Sequence, residues 1–301
     1  MSTRRAPVVC VGTALLDTLV LVDRMPGHDE RVEVASLVDA GGGNASTSAV
    51  AIARLGVDVD FAGTVGDDET GRRAIAELAA EGVGVDAVEV LAGHETARSV
   101  VVVARETATR TILTKPAALP ARLPTGYEWM HLDKVGHAAL VAAGATSSRV
   151  SLDDGNPVDD LDLTRIDLYV PTAEVLRSRF ASTTADAASR ALAAGAGVVV
   201  ATAGGGGSFA VTREAAAFAP GLSVPVVSTL GAGDVFHGAL LAAVVLGKPY
   251  AEAIRFANVT AALSCRALDG RSGIPRRVEV ESVLRDLPPS PAEAWAAIAQ
   301  L

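Results

Sequence analysis

A doubly wound α/β fold with a mostly parallel sheet and a small β lid is what this chain predicts, and three observations predict it. Short apolar runs rich in β-branched residues alternate with helical-period segments along most of the chain, the rhythm of parallel strands joined by crossover helices. Two sets of strand-like segments, at about 13–40 and 97–115, break that rhythm and read as a small sheet standing off the main domain. Of 301 residues, 50% are hydrophobic and 20% charged, enough to bury a large core, so 1–301 reads as one domain with the lid inserted in it.

The elements follow in order. Pro7-Val8-Val9-Cys10-Val11-Gly12 is too short for a helix and suits a buried parallel strand. "LDTLVLVDRMPGHDERVEVASLVDA" holds alternating segments around a Pro-Gly turn, the pattern of antiparallel strands. "SAVAIARLG" is a helix stopped at Gly56, "DVDFAGTVG" a strand, and "ETGRRAIAELAAEG" a helix stopped at Gly82. "ARSVVVVARETATRTILTK" reads as a hairpin turning near Glu106 to Thr109. "EWMHLD", "RVSLDDG" and "IDLYV" are strands, "ADAASRALAAG" a helix, and "GVVVATA" a buried strand. In "STLGAGDVFHGALLAAVVLG" the apolar positions Val235, Phe236, Leu240, Leu241, Val244 and Val245 fit helical spacing and Gly247 ends the run. "YAEAIRFANVTAALSCRA" is a long helix.

Charge narrows the function classes. Lys plus Arg at 26 against Asp plus Glu at 35 gives a net charge of −9 with no basic block, so neither nucleic acid nor an anionic membrane gains long-range attraction. Small-molecule chemistry is the expectation. "MSTRRAPVVCVG" fits neither a secretion signal nor a membrane span, which places the protein in the cytoplasm. Cys10 and Cys265 lack metal spacing and a disulfide framework and read as core filler.

No G-x-x-x-x-G-K-[ST] occurs, and the first strand runs into "GTALLD" rather than G-x-G-x-x-G, so a phosphate site must be built differently. Gly231-Ala232-Gly233-Asp234 offers one. Small residues at a helix start leave backbone N–H groups free to face an anion, where the helix dipole adds positive charge. Asp234 either accepts the proton of an attacking hydroxyl or only favours the helix start electrostatically. "GGGNASTSAVAIARLG" is a second glycine turn feeding a helix, and Asn44, Ser46 and Thr47 either face a hydroxylated ligand or cap that helix. "GGGGS" reads as a linker on composition, but the strands around it favour a turn that something approaches closely.

Taken together, "GGGNASTSAVAIARLG" and "STLGAGDVFHGA" resemble the two signature regions of the ribokinase-like (PfkB) family of sugar and nucleoside kinases, and the resemblance covers essentially the whole chain. It implies a ribokinase-like fold: a Rossmann-like domain with a β lid, a sugar held between them, and transfer of the γ-phosphate of ATP with magnesium. By motif match Asp234 is similar to the catalytic base, Gly231, Ala232 and Gly233 to the anion hole, and Gly42 and Gly43 to the glycine pair under the sugar. Asp17 matches the aspartate that holds sugar hydroxyls. "TAGGGGS" resembles the T-x-G-x-x-G turn, which puts Thr202, Gly204 and Gly207 with Gly233 beside the nucleotide. A homodimer through the lid is a further implication.

The N-terminal third is most similar to ketohexokinases, implying that Asp17, Asp29 and Asn44 grip a ketose, with Thr47 in place of an asparagine and Asp133 as a further sugar contact. The C-terminal third resembles bacterial sulfofructose kinases, which keeps an acidic sugar as an alternative, with Lys115 and Lys134 as its anion partners or as plain surface lysines. A nucleoside is the other acceptor, and a degenerate sugar or nucleotide sensor the non-enzyme alternative. Ser228 stands where the family often has the aspartate of its monovalent-cation site. Thr172 replaces the asparagine of N-x-x-E and Glu174 is displaced, so no magnesium ligands are assigned. His237, one helical turn after Asp234, reads as a packing residue.

Overall fold

The computed structural model describes residues 6–107, 109–291 and 293–301. The leader reading of the first five residues and Ala108, in the expected hairpin turn, lie outside them. The chain opens with β1 (Val8–Val11), β2 (Leu15–Val22) and β3 (Ser36–Gly42), then α1 (Asn44–Arg54), β4 (Val59–Gly66), α2 (Glu69–Ala80) and β5 (Gly84–Leu91). A hairpin of β6 (Arg98–Ala104) and β7 (Thr109–Lys115) precedes β8 (Trp129–Leu132), α3 (Lys134–Ala143), β9 (Arg149–Asp154), β10 (Leu168–Pro171), α4 (Ala173–Phe180), α5 (Thr184–Ala193) and β11 (Val198–Thr202). The last third runs β12 (Ser208–Val211), β13 (Ala216–Ala219), α6 (Ala232–Val245), α7 (Tyr250–Ser264), α8 (Arg277–Asp286) and α9 (Ala294–Ile298).

The main sheet has nine strands in the order β13-β12-β11-β10-β9-β8-β1-β4-β5. Pairing is parallel from β11 to β5, while β12 and β13 add antiparallel to one edge. The expected βα alternation therefore stops after β11. β5 escapes the sequence reading because it is a half-buried strand without a continuous apolar run. Central β1 shows why both faces carry helices: Val8 and Cys10 enter the core that holds α1, α6 and α7, whereas Val9 and Val11 enter the core that holds α5. Cys10 and Cys265 are buried free thiols, as expected.

The lid is one four-stranded sheet, order β3-β2-β6-β7. Its two antiparallel pairs are the expected ones, and a parallel pairing of β2 with β6 joins them. Leu19, Val101 and Val103 form its buried face and pack on Leu230 and Leu268 of the main domain.

Helix starts differ where it matters for function. α2, α3, α4 and α5 begin under side-chain caps from Asp68, Asp133, Thr172 and Thr183. α1 and α6 instead begin at glycines with positive φ, Gly43 at 103° and Gly231 at 73°, and without a side-chain cap.

Candidate active site

Between the lid and the carboxyl ends of the parallel strands lies a cleft of about 680 Å³, lined by Asp17 and Ser99 from the lid, Gly43 and Asn44, and Gly231 with Asp234. Thr202, Gly204, Gly207, Gly233, Ala261 and Cys265 belong to a second, mostly apolar pocket of about 260 Å³. The two share Thr202 and Gly233, so they meet at the turn before Asp234. Gly207 lies at φ 103°, with a Cβ position 2.1 Å from the Ala219 carbonyl, so the turn over this pocket requires glycine. Asn258 fixes the same wall by donating to the Ala219 carbonyl at 2.9 Å and accepting from the Ser208 hydroxyl at 2.9 Å.

At the head of α6 the Ala232 N–H turns back to the Thr229 carbonyl at 3.3 Å. The N–H groups of Gly233 and Asp234 find no acceptor among the described residues. Of the expected anion hole, Ala232 thus supplies small size rather than an open donor, whereas the Gly231 N–H, like those of Gly233 and Asp234, has no acceptor among the described residues.

Asn44 Nδ2 donates to Asp234 Oδ1 at 2.7 Å, linking the two glycine turns. The Ser48 hydroxyl donates to the Asp234 carbonyl at 2.8 Å. With Oδ1 engaged, Oδ2 is the oxygen left to accept a proton. Burial and then the charge of Asp153 push the Asp234 carboxyl up to about 7, against His237 and the Asn44 bond. Asp17 is pushed up to about 6, by burial first, and is restrained by Ser99 and Arg271. It sits under the sugar-side glycines: a Cβ on Gly42 would lie 2.0 Å from Asp17 Oδ2.

Three expected sugar contacts stand outside the cleft lining. Asp133 is buried, caps α3 through Gly136 N–H at 2.9 Å, and accepts from the N–H groups of Thr13 at 2.7 Å and Ala45 at 3.3 Å. Its oxygens tie three backbone segments together and do not line the cleft. Thr47 is buried on α1 with its hydroxyl accepting from Arg271 Nε at 3.2 Å, away from the cleft. Asp29 is exposed in the lid loop at φ 56° and also stands outside the cleft lining. Lys115 and Lys134 do line it, the first paired with Glu95, the second donating to the Pro157 carbonyl at 3.0 Å.

Sequence reasoning missed three residues and read a fourth, His237, as packing alone. Arg271 donates to the Gly42 carbonyl at 2.8 Å and the Ser46 hydroxyl at 2.7 Å, bracing the sugar-side turn from a position 229 residues away. Arg110 on β7 reaches the Thr229 hydroxyl at 2.9 Å, bringing a lid cation to the turn before α6. Asp153, at the end of β9, pairs with His237 at 3.0 Å, and both line the cleft. His237 is buried as a packing residue would be, yet its ring is engaged at the site. A sequence signal existed for His237 alone, its helical phase with Asp234.

Thr172 Oγ1 accepts from Val175 N–H at 3.1 Å as the α4 cap, and Glu174 is exposed. Among the described residues no three His, Cys, Asp or Glu side chains gather to enclose a metal. Magnesium held mainly by phosphate oxygens and water fits that arrangement. No helix among the described residues is long and apolar enough to cross a membrane.

A polar cleft meeting an apolar pocket at a glycine turn, with a carboxylate at the junction, is an arrangement that suits a phosphotransferase with an alcohol acceptor. The chain belongs to the pfkB family of carbohydrate kinases, whose sequence model matches residues 5–166 and 163–277. It is a ribokinase-like sugar kinase, and one relative, 27% identical over 88% of this chain and 93% of that one, is the ATP-dependent ribose-1-phosphate kinase of Halopiger xanaduensis. It is 28% identical to the ribokinase of Bacillus subtilis, over 92% of this chain and 99% of that one. It is 25% identical to the ketohexokinase of Mus musculus, over 89% and 98%. The fold is shared with ribokinase from Thermotoga maritima, at a TM-score of 0.83, 24% identity and coverage of 93% and 100%. A ribokinase II structure from E. coli in complex with ATP and Mg2+ superposes at a TM-score of 0.78, with 21% identity and coverage of 94% and 100%.

Proposed function

We propose that the enzyme phosphorylates a primary hydroxyl of a small ketose from ATP, with Asp234 as the base. The observation that carries this is the place of Asp234, held by Asn44 at the junction of the two pockets. Asp17 and Asn44 hold sugar hydroxyls above Gly42 and Gly43. Thr202, Gly204 and Gly207 bound the nucleotide, which brings magnesium in on its phosphates.

The acceptor hydroxyl gives its proton to Asp234 Oδ2 as its oxygen attacks the γ-phosphorus. The bond to the β–γ bridging oxygen breaks and ADP leaves. The open Gly233 and Asp234 amides and the Arg110 guanidinium meet the charge on the moving phosphoryl group. Lid closure over the cleft keeps water from the phosphate. An acidic sugar is the second reading, favoured by Arg110, Lys115 and Lys134 along the cleft. A coupled ADP-release assay over fructose, other ketoses, ribose, sulfofructose, 2-keto-3-deoxygluconate and adenosine decides. Fastest turnover with an unsubstituted ketose is expected. Preference for an acidic sugar or a nucleoside overturns the ketose assignment, and absence of sugar-stimulated release overturns the kinase reading.

Gly42→Ala is expected to raise the sugar KM and lower kcat/KM for sugar by about 10- to 100-fold, because the added Cβ displaces the Asp17 carboxylate. The KM for ATP should hold, which initial-rate kinetics in both substrates will show. Ser228 carries no charge and its hydroxyl accepts the Leu230 N–H at 3.1 Å, so we assign no monovalent-cation site there. The outer lid face presents Leu37, Val100 and Leu113, exposed by 63%, 39% and 62%, and supports a homodimer through the lid. Sedimentation should show a dimer that Leu37→Glu/Leu113→Glu splits; a monomeric parent protein refutes it.

A further inference from the structure

Resting on the reading of Asp234 as base, we propose that Asp153 and His237 form a positioning pair that keeps the cleft at one free carboxylate at the reacting point. His237 lies three residues after Asp234 on α6, on the same helix face. Asp153 is the second-last residue of β9. The two meet through His237 Nε2 and Asp153 Oδ1 at 3.0 Å, both nearly fully buried, with the Gly155 N–H adding 2.8 Å to the same oxygen.

Two carboxylates in one desolvated cleft resist joint ionisation, and the second proton stays on whichever is less well supported. Asp153 is the supported one. Burial opposes its charge, but His237 and the Gly155 N–H outweigh burial and hold its carboxyl below the usual range. Burial likewise opposes the imidazolium, and Asp153 outweighs it, so His237 titrates above the usual histidine range. The pair carries no net charge as Asp153⁻ with His237⁺. Of the two carboxylates at the head of α6, Asp234 is then the one that exchanges a proton near neutrality, while Asp17, on the lid side of the cleft, is pushed up to about 6 by its own burial.

Neighbours on the surrounding elements leave that division to this pair. His131 on β8, its ring centroid 5.8 Å from that of His237, is held neutral by burial, with its pKa lowered to about 3. Its Nδ1 meets Ser151 Oγ at 3.1 Å. Asp133 is tied to three backbone amides, and Asp154 to Arg179 at 2.8 Å and the Tyr169 hydroxyl at 2.6 Å. Arg271 serves the sugar-side turn, between Asp17 and Asp234. Without His237 the bare Asp153 charge faces Asp234 and keeps its proton on; without Asp153 the imidazole loses its anion and Asp234 loses a repelling charge.

The test is a carboxyl-carbon NMR titration of Asp234 in the free protein, its signal assigned by its loss in Asp234→Asn, so that no sugar need be known. His237→Asn should raise the Asp234 midpoint by about one pH unit or more, and Asp153→Asn should lower it by less, because the imidazole gives up its charge along with its anion. The double variant should titrate close to Asp153→Asn, since both leave the two positions uncharged. His237→Gln, which keeps a donor but no charge, should behave like His237→Asn. Shifts in the same direction, no shift, or a wild-type midpoint in His237→Gln would each overturn the pair. If His237→Asn does not fold, His237→Gln and Asp153→Asn carry the comparison. The acid limb of kcat/KM should move with the NMR midpoint. Near wild-type turnover in Asp234→Asn would sink the base itself, whereas an inactive Asp234→Asn with unmoved midpoints sinks only the pair.

Discussion

Asp234→Asn is expected to lower kcat by about 10²–10⁴-fold, the range that general-base catalysis supplies. The amide keeps the shape of the carboxylate and its contact with Asn44 but does not accept the hydroxyl proton. Wild-type kcat/KM should rise with pH through about 7 and level off above it, since only the ionised carboxylate acts as base. The same substitution should stabilise the fold at alkaline pH. Asp234 is pushed up to about 7 in the folded chain from an ordinary 3.8, so the folded state holds the proton more tightly. Its contribution is most favourable below pH 3.8, declines as pH rises, and reaches its full penalty above 7. The uncharged variant escapes that penalty, so its Tm should exceed the wild-type value at pH 8 and the gap should close toward pH 4. Calorimetry across that range, with steady-state kinetics, checks both halves; equal turnover with a lower Tm would contradict both.

Gly231→Val is expected to abolish most turnover for a geometric reason. Gly231 lies at φ 73°, and its Cβ position is 2.9 Å from Gly270 Cα and 3.0 Å from the Gly270 carbonyl. A β-branched residue there carries about 1–3 kcal/mol of backbone strain and forces the turn apart. Displaced amides no longer meet the transferring phosphate, and losing one such donor removes about 10²–10³ in kcat. Gly233→Ala separates fold from function, because its Cβ meets nothing within 4 Å. That variant should melt like the wild type while losing ATP turnover, the methyl group standing where phosphate must approach. A Gly231→Val enzyme with normal kcat would show that the turn does not serve the phosphate.

The legible parts of this protein are local. A buried strand is readable from four consecutive apolar residues at 8–11, and a helix stop from Gly56 or Gly82, because backbone preference and periodicity act over a few positions. The same holds for the phosphate turn, where Gly231, Gly233 and Asp234 are neighbours and the helix start sets the amide direction. β12 and β13 were harder, since their antiparallel pairing at the sheet edge depends on neighbours and not on their short apolar runs.

Side-chain roles divided along that line. Asp17 and Asn44 line the cleft as their motifs imply, yet Asp133, Thr47 and Asp29 do not, although each sits in or beside a motif. Thr47 was decided by Arg271, 224 residues away, and Asp133 by the Thr13 amide, 120 residues away. His237 shows the boundary most sharply. Its helical phase with Asp234 is written in the sequence, but its partner Asp153 sits near the end of a distant strand and becomes a neighbour only when the sheet forms. By itself, then, the sequence determined the fold class, the two glycine turns and the carboxylate at the head of α6, because those follow from short-range geometry. The tertiary structure alone decided which polar groups face the cleft and which are tied up elsewhere, because burial and long-range hydrogen bonds assign each side chain its partner.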